Sequence, residues 1–181
     1  MRSRIAAALA AAFLLLGACR EAPPVSAPVL DLPELTGRVV DRADLLTPAQ
    51  EESLSAQSAA LERDLGAQFV IATVPTLQEM TIEDYGVQLG RRWDIGRKGK
   101  DDGVLLIVAP AERKARIEVG YGLEKRVTDP FAAKLMREAL VPRFAEGRFG
   151  EGIEAGSRAI IARLRSKAND ADIAVKDNFV T

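Results

Sequence analysis

The chain has 181 residues, 28% of them charged, and a formal net charge of −1. It is long enough to bury one ordinary core, and it offers no basic field for nucleic acid. It contains no histidine and a single cysteine, which excludes imidazole bases, phosphohistidine, serine–histidine–aspartate triads, histidine zinc sites, cysteine–arginine phosphatase loops, intramolecular disulfides and cysteine metal clusters.

The first segment reads as a targeting signal. Arg2 and Arg4 precede an apolar run over residues 5–16 that is too short to span a bilayer. Leu16-Gly17-Ala18-Cys19 follows and resembles a bacterial lipobox. Residues 1–18 are therefore expected to be a lipoprotein signal peptide, with Cys19 acylated as the membrane anchor. Loss of that peptide would leave a formal charge of −3. Arg20, rather than aspartate, follows the cysteine. In a Gram-negative envelope that favours the outer membrane, facing the periplasm; in a Gram-positive one the anchor lies on the outer face of the cytoplasmic membrane. Residues 19–33 carry Pro23, Pro24, Pro28 and Pro33, the composition of a semi-rigid tether.

Residues 34–166 form the expected domain. A strand over 37–40 comes first. Thr47-Pro48-Ala49-Gln50 is a capping box with proline at the first helical position, and a helix runs from there to Leu65, stopped by Gly66. Leu54, Leu61 and Leu65 are placed on its inner face. Residues 68–74 are apolar and rich in β-branched side chains, the pattern of a buried strand. Thr81 and Asp84 cap a second helix with Ile82, Tyr85, Leu89 and Trp93 at helical spacing, where Tyr85 and Trp93 read as packing residues. Two more β-branched runs, 104–109 and 116–119, flank the turn at 110–114 and predict an antiparallel hairpin. Asp129, read as an N-cap before Pro130, starts a third helix carrying Phe131, Leu135 and Met136. A fourth spans 149–164 with Ile153, Ile160 and Leu164 inward. Residues 167–181 read as a polar tail, and its Asp170 and Asp172 as solvated charge. A parallel pair with a right-handed crossover plus the hairpin gives an α/β fold, a three-layer α/β/α sandwich with a mixed sheet.

Antiparallel pairing sets the start of one hairpin strand beside the end of the other, so Asp101-Asp102-Gly103 should meet Gly120-Tyr121-Gly122. Adjacent aspartates in a turn can face one hard cation, and glycine-rich turns lend carbonyls or room for close approach. Asp101 and Asp102 are thus candidate ligands of Ca2+ or Mg2+, with Gly120 and Gly122 beside them. The same residues equally make a plain turn with aspartates bonding local amides. Strand alternation decides whether Glu118 faces this site, and Glu124 lies just beyond the second turn. Tyr121 is the aromatic expected to be exposed there. Asp41 and Asp44 are turn or cap residues. Arg97, Lys98 and Lys100 would attract an anion or form a solvated loop. No Gly-x-Gly-x-x-Gly or Gly-Lys-Ser/Thr phosphate loop is present.

Taken together, Val40-Asp41-Arg42-Ala43-Asp44-Leu45-Leu46, Ile82-Glu83-Asp84-Tyr85, Trp93-Asp94-Ile95-Gly96, Asp101-Asp102-Gly103-Val104-Leu105-Leu106, Ile117-Glu118-Val119-Gly120-Tyr121-Gly122-Leu123-Glu124, Thr128-Asp129 and Phe149-Gly150-Glu151-Gly152-Ile153 resemble the TPM domain family over residues 36–164. The resemblance implies a three-layer α/β/α fold outside the cytoplasm and binding of Ca2+ or a related cation. The acidic positions carried over are Asp101, Asp102, Asp41 and Asp129. It also implies two functions. One is a metal-binding module that supports assembly or maintenance of envelope proteins, with the membrane reached through Cys19 and an envelope protein as partner. The other is a metal-dependent acid phosphatase, like the thylakoid-lumen member; further members act in photosystem II repair. Many bacterial relatives continue into a transmembrane segment and a glycine-rich tail, which this sequence does not show.

Overall fold

A computed structural model describes residues 30–166; Cys19, the signal peptide, most of the tether and the tail at 167–181 lie outside the described residues. The elements are β1 (Val39–Asp41), α1 (Pro48–Leu65), β2 (Gln68–Thr73), α2 (Ile82–Arg92), β3 (Gly103–Ala109), β4 (Lys114–Val119), α3 (Asp129–Leu135), a π-helical stretch (Met136–Leu140), α4 (Val141–Ala145) and α5 (Phe149–Arg165). The sheet order is β1-β2-β3-β4. The first three strands run parallel and β4 returns antiparallel to β3, so the mixed sheet is as expected.

Side-chain alternation along the strands builds two cores. Phe69 and Ile71 of β2 stand beside Val104 and Leu106 of β3, and these four join Leu54 and Leu61 of α1 and Ile153, Ile160 and Leu164 of α5 in one buried cluster. The alternate residues Leu105 and Ile107 face the other way, toward α2; a Cβ on Gly86 of that helix would reach the Ile107 side chain at 3.0 Å. Tyr85 and Leu89 of α2 are buried on this second face. The chain is therefore a three-layer α/β/α sandwich. Because β1, β2 and β3 lie in sequence order while α1 and α2 cover opposite faces, the two crossovers have opposite hands. One of them departs from the usual right-handed rule.

The helix boundaries follow local chemistry. Thr47 accepts the Gln50 amide N–H, and the Gln50 side chain accepts from the Thr47 backbone, closing the capping box. Gly66 ends α1 in the left-handed region at φ 74°. Thr47→Ala should lower stability by about 1 kcal/mol, read as a shifted urea midpoint at unchanged slope. Leu65, expected inside, is 41% exposed at the frayed end of α1. The N-cap of α3 is Thr128, whose hydroxyl accepts the Phe131 amide; Asp129 occupies the first turn after it. A hydroxyl one residue earlier reaches the third amide, so the carboxylate is left to act on the helix dipole.

The chain enters the domain along a docked strap. Asp31 N–H donates to the Gln78 side chain at 3.0 Å, and the Gln78 amide donates back to the Asp31 carbonyl at 2.7 Å. The Trp93 indole donates to the Pro33 carbonyl at 2.8 Å. The compact unit accordingly begins at Asp31.

Candidate functional site

The two turns meet. Gly120 N–H donates to the Gly103 carbonyl at 2.8 Å, and Gly122 N–H donates to the Asp101 carbonyl at 3.1 Å. The approach depends on absent side chains: a Cβ on Gly120 would sit 2.1 Å from the Asp101 oxygen, and one on Gly122 would sit 1.9 Å from the Lys100 oxygen. Here glycine supplies room, as the close packing of two backbones requires.

The two aspartates have different fates. Asp101 holds a left-handed backbone at φ 48°, a conformation aspartate tolerates, and its side chain is exposed. Asp102 is 7% exposed, and both of its oxygens are engaged. One accepts the Arg97 backbone N–H at 2.8 Å; the other accepts the Arg97 Nε at 2.8 Å and its Nη2. Burial alone would raise the Asp102 carboxyl, but the Arg97 side-chain bonds, backbone N–H and charge outweigh it and hold the group below the ordinary carboxylate range.

Arg97, expected either to attract an anion or to be solvated loop charge, is the partner of Asp102. It lies in the 96–100 turn, where Lys100 and Asp101 N–H groups donate to its carbonyl at 2.9 and 3.0 Å. Its guanidinium rests against Gly66, where any Cβ would meet it at 2.4 Å. The surroundings are polar and continuous: Gly96 N–H donates to Gln68 at 2.7 Å, Gln68 donates to Glu62 at 3.1 Å, and Arg38 donates to Glu62 at 2.7 Å. The signal that would have found this pairing is an arginine five residues before an aspartate, in a loop whose glycines, Gly96 and Gly99, have positive φ.

The remaining predicted ligands stand apart. Gly103, next to Asp102, pairs with Gln68, whereas Asp41 pairs with Thr73 at the far end of β2. The separation is roughly 17 Å along the strand. Asp41 is also occupied, accepting N–H groups of Leu45 and Leu46 at 3.1 and 2.8 Å and the Thr73 hydroxyl. Asp129 lies on α3, where its charge acts on Arg116. Glu118 turns to the α2 side, against Gly86, and bonds Arg116. Among the described residues no three acidic, histidine or cysteine side chains converge as a metal cage. The four aspartates thus do not fit one cation site. Among the described residues, the oxygens there that accept no hydrogen bond include those of the exposed Asp101 carboxylate and the Lys100 and Gly122 carbonyls.

Beside the junction lies a crevice of about 380 Å³ lined by Leu65, Lys100, Asp102, Gly122, Arg126 and Leu164 among others. Lys100 and Arg126 make its polar wall cationic. A larger space of about 530 Å³ lies at the other end of the hairpin, between Arg113 and Lys114 and the apolar Met136, Phe144 and Phe149. It contains no carboxylate.

The model of a family described as the TPM domain matches residues 39–163. The solution structure of the N-terminal domain of a Porphyromonas gingivalis protein is similar at 30% identity and a TM-score of 0.69, with 74% of this chain and 88% of that one covered. A protein from the psychrophilic bacterium Bizionia argentinensis is similar in fold at 19% identity and a TM-score of 0.58, covering 75% and 94%. The N-terminal domain of a Corynebacterium glutamicum protein shares the fold at 13% identity and a TM-score of 0.57, covering 78% and 90%. No curated protein matches the sequence.

Proposed function

The chain belongs to the TPM domain family, and from that premise we propose that it is an extracytoplasmic binding module, held to the membrane by a lipid on Cys19, that supports the assembly or maintenance of envelope proteins. The observation that carries this reading is the condition of Asp102. A carboxylate bonded three times by Arg97 and held by it below the ordinary range is a poor proton acceptor, and it is committed to a guanidinium rather than to a metal. It clamps the 96–100 turn onto the start of β3. What stays outward at the junction is a surface that includes the exposed Asp101 carboxylate. A divalent cation on this reading binds from solvent, completed by water and of low affinity, because the few protein oxygens exposed at the junction fall short of the six to eight that Ca2+ prefers.

The test is a Ca2+ and Mg2+ titration of the compact unit followed by NMR and thermal unfolding. Amide shifts should cluster at residues 99–102 and 120–124, vanish in Asp101→Asn and survive in Asp102→Ala. The melting temperature should move by no more than about 2 °C at millimolar metal, the linkage expected when concentration barely exceeds the dissociation constant. A rise of 10 °C with calcium, abolished by changing Asp102, would show a built metal site and overturn the reading.

An acid phosphatase is the second reading. Lys100 and Arg126 in the crevice favour it, since two cations suit a phosphate monoester. Its proton acceptor would have to be Asp101. Monoester hydrolysis at acid pH that disappears in Asp101→Asn would decide for it.

A further inference from the structure

We propose that two copies of this chain join edge to edge through β4, extending the four-stranded sheet to eight strands across a two-fold axis at Ile117. β4 is the outermost strand, paired only with β3. In an antiparallel ladder alternate residues turn their backbone toward the neighbour. Gly120 bonds Gly103, so Gly120, Glu118, Arg116 and Lys114 face β3. Ala115, Ile117 and Val119 then point their N–H and C=O groups outward, and no described residue bonds them. Those six groups accept a strand and nothing less extended.

Charge selects both the occupant and the register. A second β4 must set Ala115, Ile117 and Val119 against one another for their backbones to bond, which leaves three well-overlapped alignments. Centring on Arg116 sets two arginines face to face, and centring on Glu118 does the same with two glutamates. Centring on Ile117 places Arg116 opposite Glu118 of the second copy, twice over, with Ala115 opposite Val119. Opposite charges across a strand pair stabilise it and like charges do the reverse. Just beyond the end of this strand, Tyr121 offers an aromatic ring that is 82% exposed.

The flanks agree. Val87 of α2 is 41% exposed and borders a crevice walled by Glu118 and Val119. Val141 is 51% exposed and borders the space walled by Lys114 and Ala115. With Tyr121, three of the five large exposed apolar side chains of the described residues surround this edge.

Sedimentation velocity on Asp31–Thr181, which forms a separate compact unit, tests the proposal from about 1 μM to 1 mM. Reversible dimerisation is expected. Arg116→Glu and Glu118→Arg should each weaken it at least about tenfold, since each homodimer sets like charges opposite. An equimolar mixture of the two should dimerise again, because every cross-strand pair is then of opposite sign. Inside each chain the 116/118 pair stays like-charged, so a merely structural defect gains nothing from mixing. Ala115→Pro removes an outward N–H without touching the bonds to β3, and it should also give monomers. A wild-type unit that stays monomeric to the highest concentration overturns the proposal. So does a dimer indifferent to these substitutions, or a mixture that fails to reassociate.

Discussion

Alanine at Gly122 is expected to lower the stability of the domain by about 3 kcal/mol, the upper range for forcing atoms into a packed site. The added carbon would lie 1.9 Å from the Lys100 carbonyl oxygen and 3.2 Å from that of Asp101. Neither oxygen is the end of a flexible side chain, so the 96–101 turn would have to move as a unit. Arg97 and Asp102 hold that turn in place, and Gly122 N–H would lose its bond to Asp101. Gly120→Ala should act similarly, with its carbon 2.1 Å from the Asp101 oxygen. Gly90 is the control: it lies inside α2 with nothing within 4 Å of an added Cβ. Alanine there should stabilise by about 0.5–1 kcal/mol through helix propensity. Urea unfolding of the three variants measures all of this. A Gly122→Ala protein within about 0.5 kcal/mol of wild type, the ordinary range for surface changes, would mean that the two turns do not hold each other.

The second large effect is acid sensitivity centred on Asp102. Its carboxyl is held below the ordinary range in the folded chain, burial opposing and Arg97 prevailing. Glu62 is lowered by the Arg38 side-chain bond against a smaller burial penalty. Glu112 is lowered because bonds from the Leu77 amide and the Thr76 hydroxyl together outweigh its burial. A depressed folded pKa means that the unfolded chain binds protons first as pH falls. The contribution is therefore complete above the unfolded values of about 4 and is lost as pH drops through the folded ones. Stability should be flat from pH 7 to 5 and fall steeply below about pH 4. Asp102→Ala should cost about 2 kcal/mol at pH 7, the lower half of the range for charge-assisted hydrogen bonds because Arg97 is partly exposed. That deficit should shrink toward zero in strong acid, where the wild-type carboxylate is itself protonated. A deficit independent of pH would show that Asp102 matters for its packing and not for its charge.

The elements were legible because their signals are local. The capping box at Thr47, the stop at Gly66 and the β-branched run at 104–109 each involve residues within a few positions of one another. The meeting of Asp101 with Gly122 was also legible, since it follows from hairpin register alone. What the neighbours do with a side chain was not. Asp102, read as a candidate ligand, also holds Arg97, because burial at the sheet end demands a counter-charge that spacing does not reveal. Asp41, the last residue of β1, pairs with the opposite end of β2 and so lies too far away to join Asp102.

Apart from the π-helical stretch at Met136–Leu140 and the helix after it, the sequence by itself determined composition-level chemistry, most of the secondary elements, the mixed sheet and the family. These depend on residue type and on periods of two and 3.6, which need no partner. The tertiary structure alone decided which carboxylates are free, that α1 and α2 cover opposite faces, and that β4 presents an unpaired edge with alternating charge. Each of those depends on distance through space and on burial. A chain of residue letters carries neither until it is folded.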